Sequence, residues 1–193
     1  MKTTITKTAF ALLAFGMLFT ACSKDDNKGG FPEENPLAKY YEATGFTNST
    51  NLINGSSSEF GLAFSPKVKG KINALTVRIP DANPNLRVTI WDYDQKIILR
   101  TEFVNVATAN TEVVKSISAM DLEKDKKYMI TMNSNDFYKK ARADNSAATY
   151  PVTAGNIVFH SYAWISASGQ TFPTSIDYTY NGGDLSFVFQ RTE

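Results

Sequence analysis

Leu86-Arg87-Val88-Thr89-Ile90-Trp91 places Leu86, Val88 and Ile90 at every second position, with Arg87, Thr89 and Trp91 between them. A helix would space its apolar residues three and four apart, so a period of two marks a half-buried strand. The same beat recurs on both sides. Upstream, Phe60, Leu62 and Phe64 alternate with Glu59, Gly61 and Ala63, and Leu75, Val77 and Ile79 with Thr76 and Arg78. Downstream come Ile97 to Phe103, a weaker pattern from Val113 to Ile117, Tyr128 to Met132, the continuous run Ile157-Val158-Phe159, and Leu185, Phe187 and Phe189. Turn residues punctuate these runs: Ser65-Pro66, Pro80-Asp81, Asn83-Pro84-Asn85, Asp94-Gln95 and Asn181-Gly182-Gly183. About eight or nine short strands, each burying one face and wetting the other, predict an all-β antiparallel β-sandwich, jelly-roll-like or Ig-like. Between them, Asp121 to Lys127 reads as a charged connection with room for one helical turn, Asn135 to Gly155 as the longest loop, and Tyr40 to Ile53 as a further edge strand.

The chain has 193 residues, of which 42% are hydrophobic and 12% aromatic, enough for one real core. With 20 Lys and Arg against 19 Asp and Glu, the formal charge of +1 gives no global field for nucleic acid. One Cys and one His exclude an internal disulfide framework, a thiolate zinc cluster and a multi-histidine metal centre. No cofactor or metal is expected.

The amino end reads as an address. Lys2 and Lys7 precede the apolar run Ala9 to Phe19, a length that suits a secretory signal and falls short of the ~20 residues a spanning helix needs. The run ends Leu18-Phe19-Thr20-Ala21-Cys22, which resembles the lipobox of bacterial lipoproteins, with Leu18 one place early. That resemblance implies a signal peptide over 1–21 and Cys22 as a lipidated mature amino terminus carrying acyl chains such as palmitate. The partner it implies is a membrane, held through lipid. Ser23 to Gly30 is polar and Gly-ended, so residues 22–36 are expected to form a flexible tether and residues 37–193 the β-sandwich domain. The start Cys22-Ser23-Lys24-Asp25-Asp26 is similar to the export signal of Bacteroidota lipoproteins shown on the cell surface. An outer-membrane address is therefore expected, with the periplasmic face as the alternative.

The order of strand motifs resembles a bacterial family known only as domain of unknown function 4082. Glu59 to Phe64 looks like its opening strand, and Gly70-Lys71-Ile72 with Leu75 and Arg78 like its second. Val88-Thr89-Ile90-Trp91-Asp92 looks like its tryptophan strand, and Phe172-Pro173-Thr174-Ser175 with Phe187-Val188-Phe189 like its closing signature. The chain departs from it at Asn110-Thr111-Glu112 and at Asp136-Phe137-Tyr138, where the family has Gly-Trp-Gln and Gly-His-Tyr. The resemblance implies an extracellular accessory β-sandwich without a known catalytic residue.

Chemistry-bearing residues are few. His160 is the one imidazole, and a base role would require a nucleophile such as Ser161 or Ser166 and an orienting group. A structural strand-edge residue is the favoured reading. Asp92 and Asp94 flank Tyr93, but Asp94 reads as a turn residue rather than half of a carboxylate pair or a calcium loop. Lys139, Lys140 and Arg142 form the one basic cluster, read as a solvated loop face. Trp91, Tyr93, Tyr162 and Trp164 are the ligand-binding candidates, because sugars stack flat apolar faces on exposed rings. If Val88 and Ile90 face the core, Trp91 faces outward, either as a platform or under a covering loop. Tyr178 and Tyr180 beside Asn181-Gly182-Gly183 form a further candidate. The expectation is a non-catalytic surface binding module, glycan the preferred ligand. A structural or protein-interaction subunit of a surface complex is the alternative, and a hydrolase the weakest.

Overall fold

The structure, a computed structural model, describes residues 30–53 and 55–193. The expected signal peptide, Cys22 and residues 23–29 of the expected tether lie outside the described residues.

Eight long strands coincide with the eight runs read above: β3 (Ser58–Pro66), β4 (Gly70–Arg78), β5 (Asn83–Asp92), β6 (Ile98–Val106), β7 (Val113–Leu122), β8 (Tyr128–Ser134), β11 (Ile157–Ser166) and β14 (Asp184–Arg191). Six shorter strands complete the described set: β1 (Glu33–Glu34), β2 (Asn48–Leu52), β9 (Phe137–Ala141), β10 (Val152–Ala154), β12 (Ser175–Asp177) and β13 (Tyr180–Gly182). They build a four-stranded sheet ordered β1-β14-β4-β7 and a seven-stranded sheet ordered β10-β11-β3-β8-β5-β6, with β12 also on β11. A small sheet ordered β13-β9-β2 stands beside them. Every pairing is antiparallel. The two large sheets close on one core, with Phe64 of β3 lying 4.6 Å from Phe187 of β14 between ring centroids. The expected all-β sandwich is the observed fold.

Its details depart from expectation in several places, and Ser65-Pro66, Asn83-Pro84-Asn85 and Asn181-Gly182, read as turns, lie within β3, β5 and β13. Residues 31–36 belong to the folded body rather than to a tether: Glu33 and Glu34 pair with Gln190 and Phe189, and the Arg191 guanidinium lies 3.8 Å from the Phe31 ring centroid. Residues 37–44, placed partly in the expected edge strand, form helix α1 (Leu37–Thr44). The helix buries Leu37, Tyr40 and Thr44 on one stripe; Asn35 Oδ1 accepts the Leu37 N–H, and Gly45 closes the end at φ 72°. The edge strand expected in this region begins later, as β2. The expected loop 135–155 contains β9 and β10. Finally, Asp121 to Lys127 forms no helical turn, since β7 runs to Leu122 and a turn leads directly into β8.

One irregularity decides where the aromatic residues point. The register between β11 and β3 shifts between Phe159 and Ser161, which makes His160 the extra residue of a β-bulge. Before the bulge Ile157 and Phe159 face the core; after it Tyr162 and Trp164 do, although their parity is opposite.

Candidate functional site

The four aromatic candidates divide between the two faces of the seven-stranded sheet. Trp91 lies on the outer face, as its register implied, but it is 3% exposed and is no platform. The segment after β11 folds back over it: Phe172 meets the indole edge-on at 5.7 Å, and Gln170 Nε2 donates to Thr89 and Thr101. Beneath this strap runs a buried polar chain. The Trp91 indole N–H donates to Thr131 Oγ1 at 2.9 Å, and Thr131 donates to Glu59 Oε1 at 2.6 Å. Arg87 Nη2 pairs with Glu59 Oε2 at 2.9 Å. Glu59 is wholly buried, and burial pushes its carboxyl above the usual range while Thr131 and Arg87 hold it back. Tyr93 is half-buried beside Phe172, 5.7 Å away, in an outer-face hollow of about 200 Å³.

Tyr162 and Trp164 occupy the other face, where the small sheet meets the end of β11. Here a groove of about 350 Å³ opens. Tyr162, 1% exposed, corrects the expectation of an exposed ring: it belongs to the groove floor together with Phe60. Half-buried Trp164, Phe137 and Tyr180 form its walls. Phe137 lies 4.8 Å from Phe60, and Tyr180 5.2 Å from Tyr162. The Tyr162 hydroxyl faces Tyr180 and Gly182; burial first, then the charge of Tyr180, raises it well above an ordinary phenol, so it stays protonated. A Cβ at Gly182 would lie 2.4 Å from that hydroxyl, so the floor requires glycine there. Polar groups at the rim are the side chains of Ser56, Ser58 and Ser166, and Lys139 Nζ stands 4.3 Å from the Tyr180 ring centroid. Leu52 and Ile53 supply exposed apolar surface at 39% and 48%. The groove thus unites Tyr162, Trp164 and Tyr180 from the sequence reading, adds Phe137 and Phe60, and excludes Trp91 and Tyr93. Phe137 carried no signal of its own because it sits in a strand read as loop.

The other singled-out residues go elsewhere. Lys139 and Lys140 are neighbours on β9 and point to opposite sides of it. Lys139 reaches Tyr180, while Lys140 lies over Tyr41 of α1 at 5.0 Å, so the expected solvated loop face is instead a strand whose two lysines pack on opposite sides. Arg142 instead fixes the end of α1, its Nε donating to Thr44 O at 2.7 Å. Asp92 caps a turn: Oδ1 accepts the N–H groups of Gln95 and Asp94, and Oδ2 pairs with Lys126 at 3.2 Å. Those contacts, the Gln95 N–H foremost, hold its carboxyl below the usual range. Asp94 is exposed and does not converge with it. Neither Ser161 nor Ser166 partners His160. Its Nε2 lies 2.9 Å from Ser65 Oγ, and burial, then Lys127, lowers its pKa. Tyr178 lines a separate cavity with Tyr150 and His160. Among the described residues no three His, Cys, Asp or Glu side chains are placed to share a metal ion.

No protein-family model matches the chain, and no curated protein matches it in sequence.

Proposed function

We propose that the chain is a non-catalytic binding module, anchored to the outer membrane through lipid on Cys22, and that its site is the groove between β11 and the small sheet. Glycan is the preferred ligand class. The observation that supports this reading is the convergence of Trp164, Tyr180 and Phe137 on an open groove edged by serine side chains. Aromatic walls offer apolar faces for sugar rings, and scattered hydroxyls offer orientation. Screening the folded protein on a broad polysaccharide array, followed by calorimetry on any hit, tests the idea. Trp164→Ala should weaken binding about five- to 150-fold, as losing one stacked ring costs about 1–3 kcal/mol. A hit indifferent to both Trp164→Ala and Tyr180→Ala refutes the assignment. Mass spectrometry of exported protein tests the anchor, which predicts acyl chains on residue 22.

One observation favours the second reading, a protein-interaction subunit. Strand β2 is an edge whose five residues are all exposed and uncharged, and Leu52 and Ile53 extend its apolar surface. Edges in monomeric proteins are usually blunted by charge, proline or a bulge. Capture of a surface protein that competes with a groove-binding glycan would favour this reading over the first.

A further inference from the structure

The opposite face of the small sheet carries a second, open cavity of about 550 Å³, bordered by α1, β4, β9, β14 and the turn before β7. Its chemistry is unlike that of the aromatic groove. Asp184, 5% exposed, lies at its floor and accepts hydrogen bonds from Arg78 Nε at 3.0 Å and Tyr41 Oη at 2.8 Å. Arg78 Nη2 makes a third, very short contact with the same carboxylate. Lys140 Nζ approaches Asp184 Oδ1 only to 3.8 Å. Burial, then the charge of Asp184, raises the Tyr41 phenol well above its ordinary value, so the hydroxyl remains a donor.

Two cations therefore face one carboxylate at the floor, and the second carboxylate of the lining, Glu112, is exposed at the mouth. Arg78 uses Nε and Nη2 on Asp184, and its Nη1 has no partner among the described residues. The Tyr138 ring, 4.8 Å from the guanidinium carbon, holds that group in place. The Lys140 ammonium, on a side chain 14% exposed, makes no hydrogen bond among the described residues and stands 3.8 Å from Asp184 Oδ1 and 5.0 Å from the Tyr41 ring centroid. Its donors therefore face the cavity with one distant oxygen neighbour from the protein. The remaining walls are of two kinds: Asn35 and Asn110 carry amide groups, and Leu37 and Ala38 present apolar surface from α1.

We propose that this cavity is a second binding site, for the carboxylate of an acidic sugar. Arg78 Nη1 and Lys140 Nζ receive the carboxylate. Asn110 Nδ2, whose Oδ1 accepts from Tyr138 Oη, meets a ring hydroxyl, and the apolar start of α1 covers a ring face. Glu112, exposed at the mouth, opposes the anion and limits affinity. The site is independent of the aromatic groove, since the small sheet separates them.

The test uses D-glucuronate, glucose and acetate as probes, added to the folded protein at low salt and followed by amide chemical-shift perturbation. Glucuronate should shift residues around Arg78 and Lys140, with affinity falling as salt rises. Lys140→Gln should weaken it at least tenfold, because a hydrogen bond to a charged group is worth about 1.5–3 kcal/mol. Glu112→Gln, a change at an exposed position, should tighten it about two- to threefold, which keeps the test open if the lysine variant folds poorly. Trp164→Ala should leave glucuronate binding unchanged, so failure here and failure of the groove assignment are separate results. The proposal is overturned if glucuronate leaves these residues unshifted, if glucose binds equally well, or if acetate binds as tightly as glucuronate. Indifference to both charge changes also overturns it.

Discussion

Trp91 is the residue on which sequence and structure assign the most different roles, and its replacement separates them. As a platform, Trp91 would contribute to binding and little to stability. Buried beneath Phe172 and bonded to Thr131, it must contribute chiefly to stability. Truncating a buried tryptophan to alanine costs about 3–5 kcal/mol. With a urea dependence of about 2 kcal/mol per molar for a domain of this size, Trp91→Ala should lower the unfolding midpoint by roughly 2 M. Trp91→Phe keeps most of the ring and removes the N–H donor. Thr131 still donates to Glu59 but loses the donor to its own oxygen, for a cost of about 1–3 kcal/mol. The chain has two tryptophans, so each single replacement leaves one reporter. In Trp91→Phe protein the remaining Trp164 should be quenched by iodide and should respond to a groove ligand. In Trp164→Phe protein the remaining Trp91 should resist iodide until the chain unfolds. A Trp91→Ala protein within about 0.5 kcal/mol of the parent would refute the reasoning. So would equal quenching of the two indoles.

Three further outcomes are expected. Gly61→Ala should prevent folding or cost several kcal/mol by calorimetry, because the new Cβ would stand 1.9 Å from the Ile130 carbonyl oxygen across the β3–β8 pairing; a fall in midpoint temperature below 2 °C would contradict this. His160 has a folded pKa below its unfolded value of about 6.5, so the unfolded chain takes up the proton first and stability falls as pH drops below that value. Urea midpoints measured from pH 8 to pH 5 should show that loss, and it should be smaller in His160→Gln. Burial pushes the Tyr150 phenol up to about 12 and holds Tyr40, Tyr41 and Tyr162 well above 10, so phenolate absorbance should reveal a late-ionising group rather than nine equivalent tyrosines.

The long strands were legible because each has one buried face, and alternation in the chain copies that asymmetry directly. β9 was not legible for the opposite reason. Phe137 and Lys139 face the groove while Tyr138 and Lys140 face α1 and β14, so both sides are covered and neither reads as core. Helix α1 is eight residues long and buries three, too few to impose a helical period on its surroundings. The bulge at His160 exchanges the faces of β11 halfway along, which apolar patterning does not encode. Trp91 shows the remaining limit: alternation placed it on the outer face, but its cover arrives from Phe172, far along the chain in a segment without periodicity.

The small sheet links these observations to the proposed sites. It is one strand layer thick, and consecutive residues of β9 belong to consecutive sites: Phe137 and Lys139 to the aromatic groove, Tyr138 and Lys140 to the charged cavity. Sliding β9 by one residue would exchange these sets, taking Phe137 out of the groove and removing Lys140 from Asp184. Several contacts oppose that slip. Tyr180, Asn181 and Gly182 pair with Ala141, Lys140 and Lys139 on one side, and β2 pairs along the other edge. Gly182 admits the Tyr162 hydroxyl where no side chain fits, and the Gly183 N–H donates to Tyr138 O at 2.7 Å. Asn181 ties the same sheet to α1 by donating to Tyr41 Oη at 3.0 Å. The groove and the cavity are therefore two consequences of one register, although they differ in chemistry and open on opposite faces.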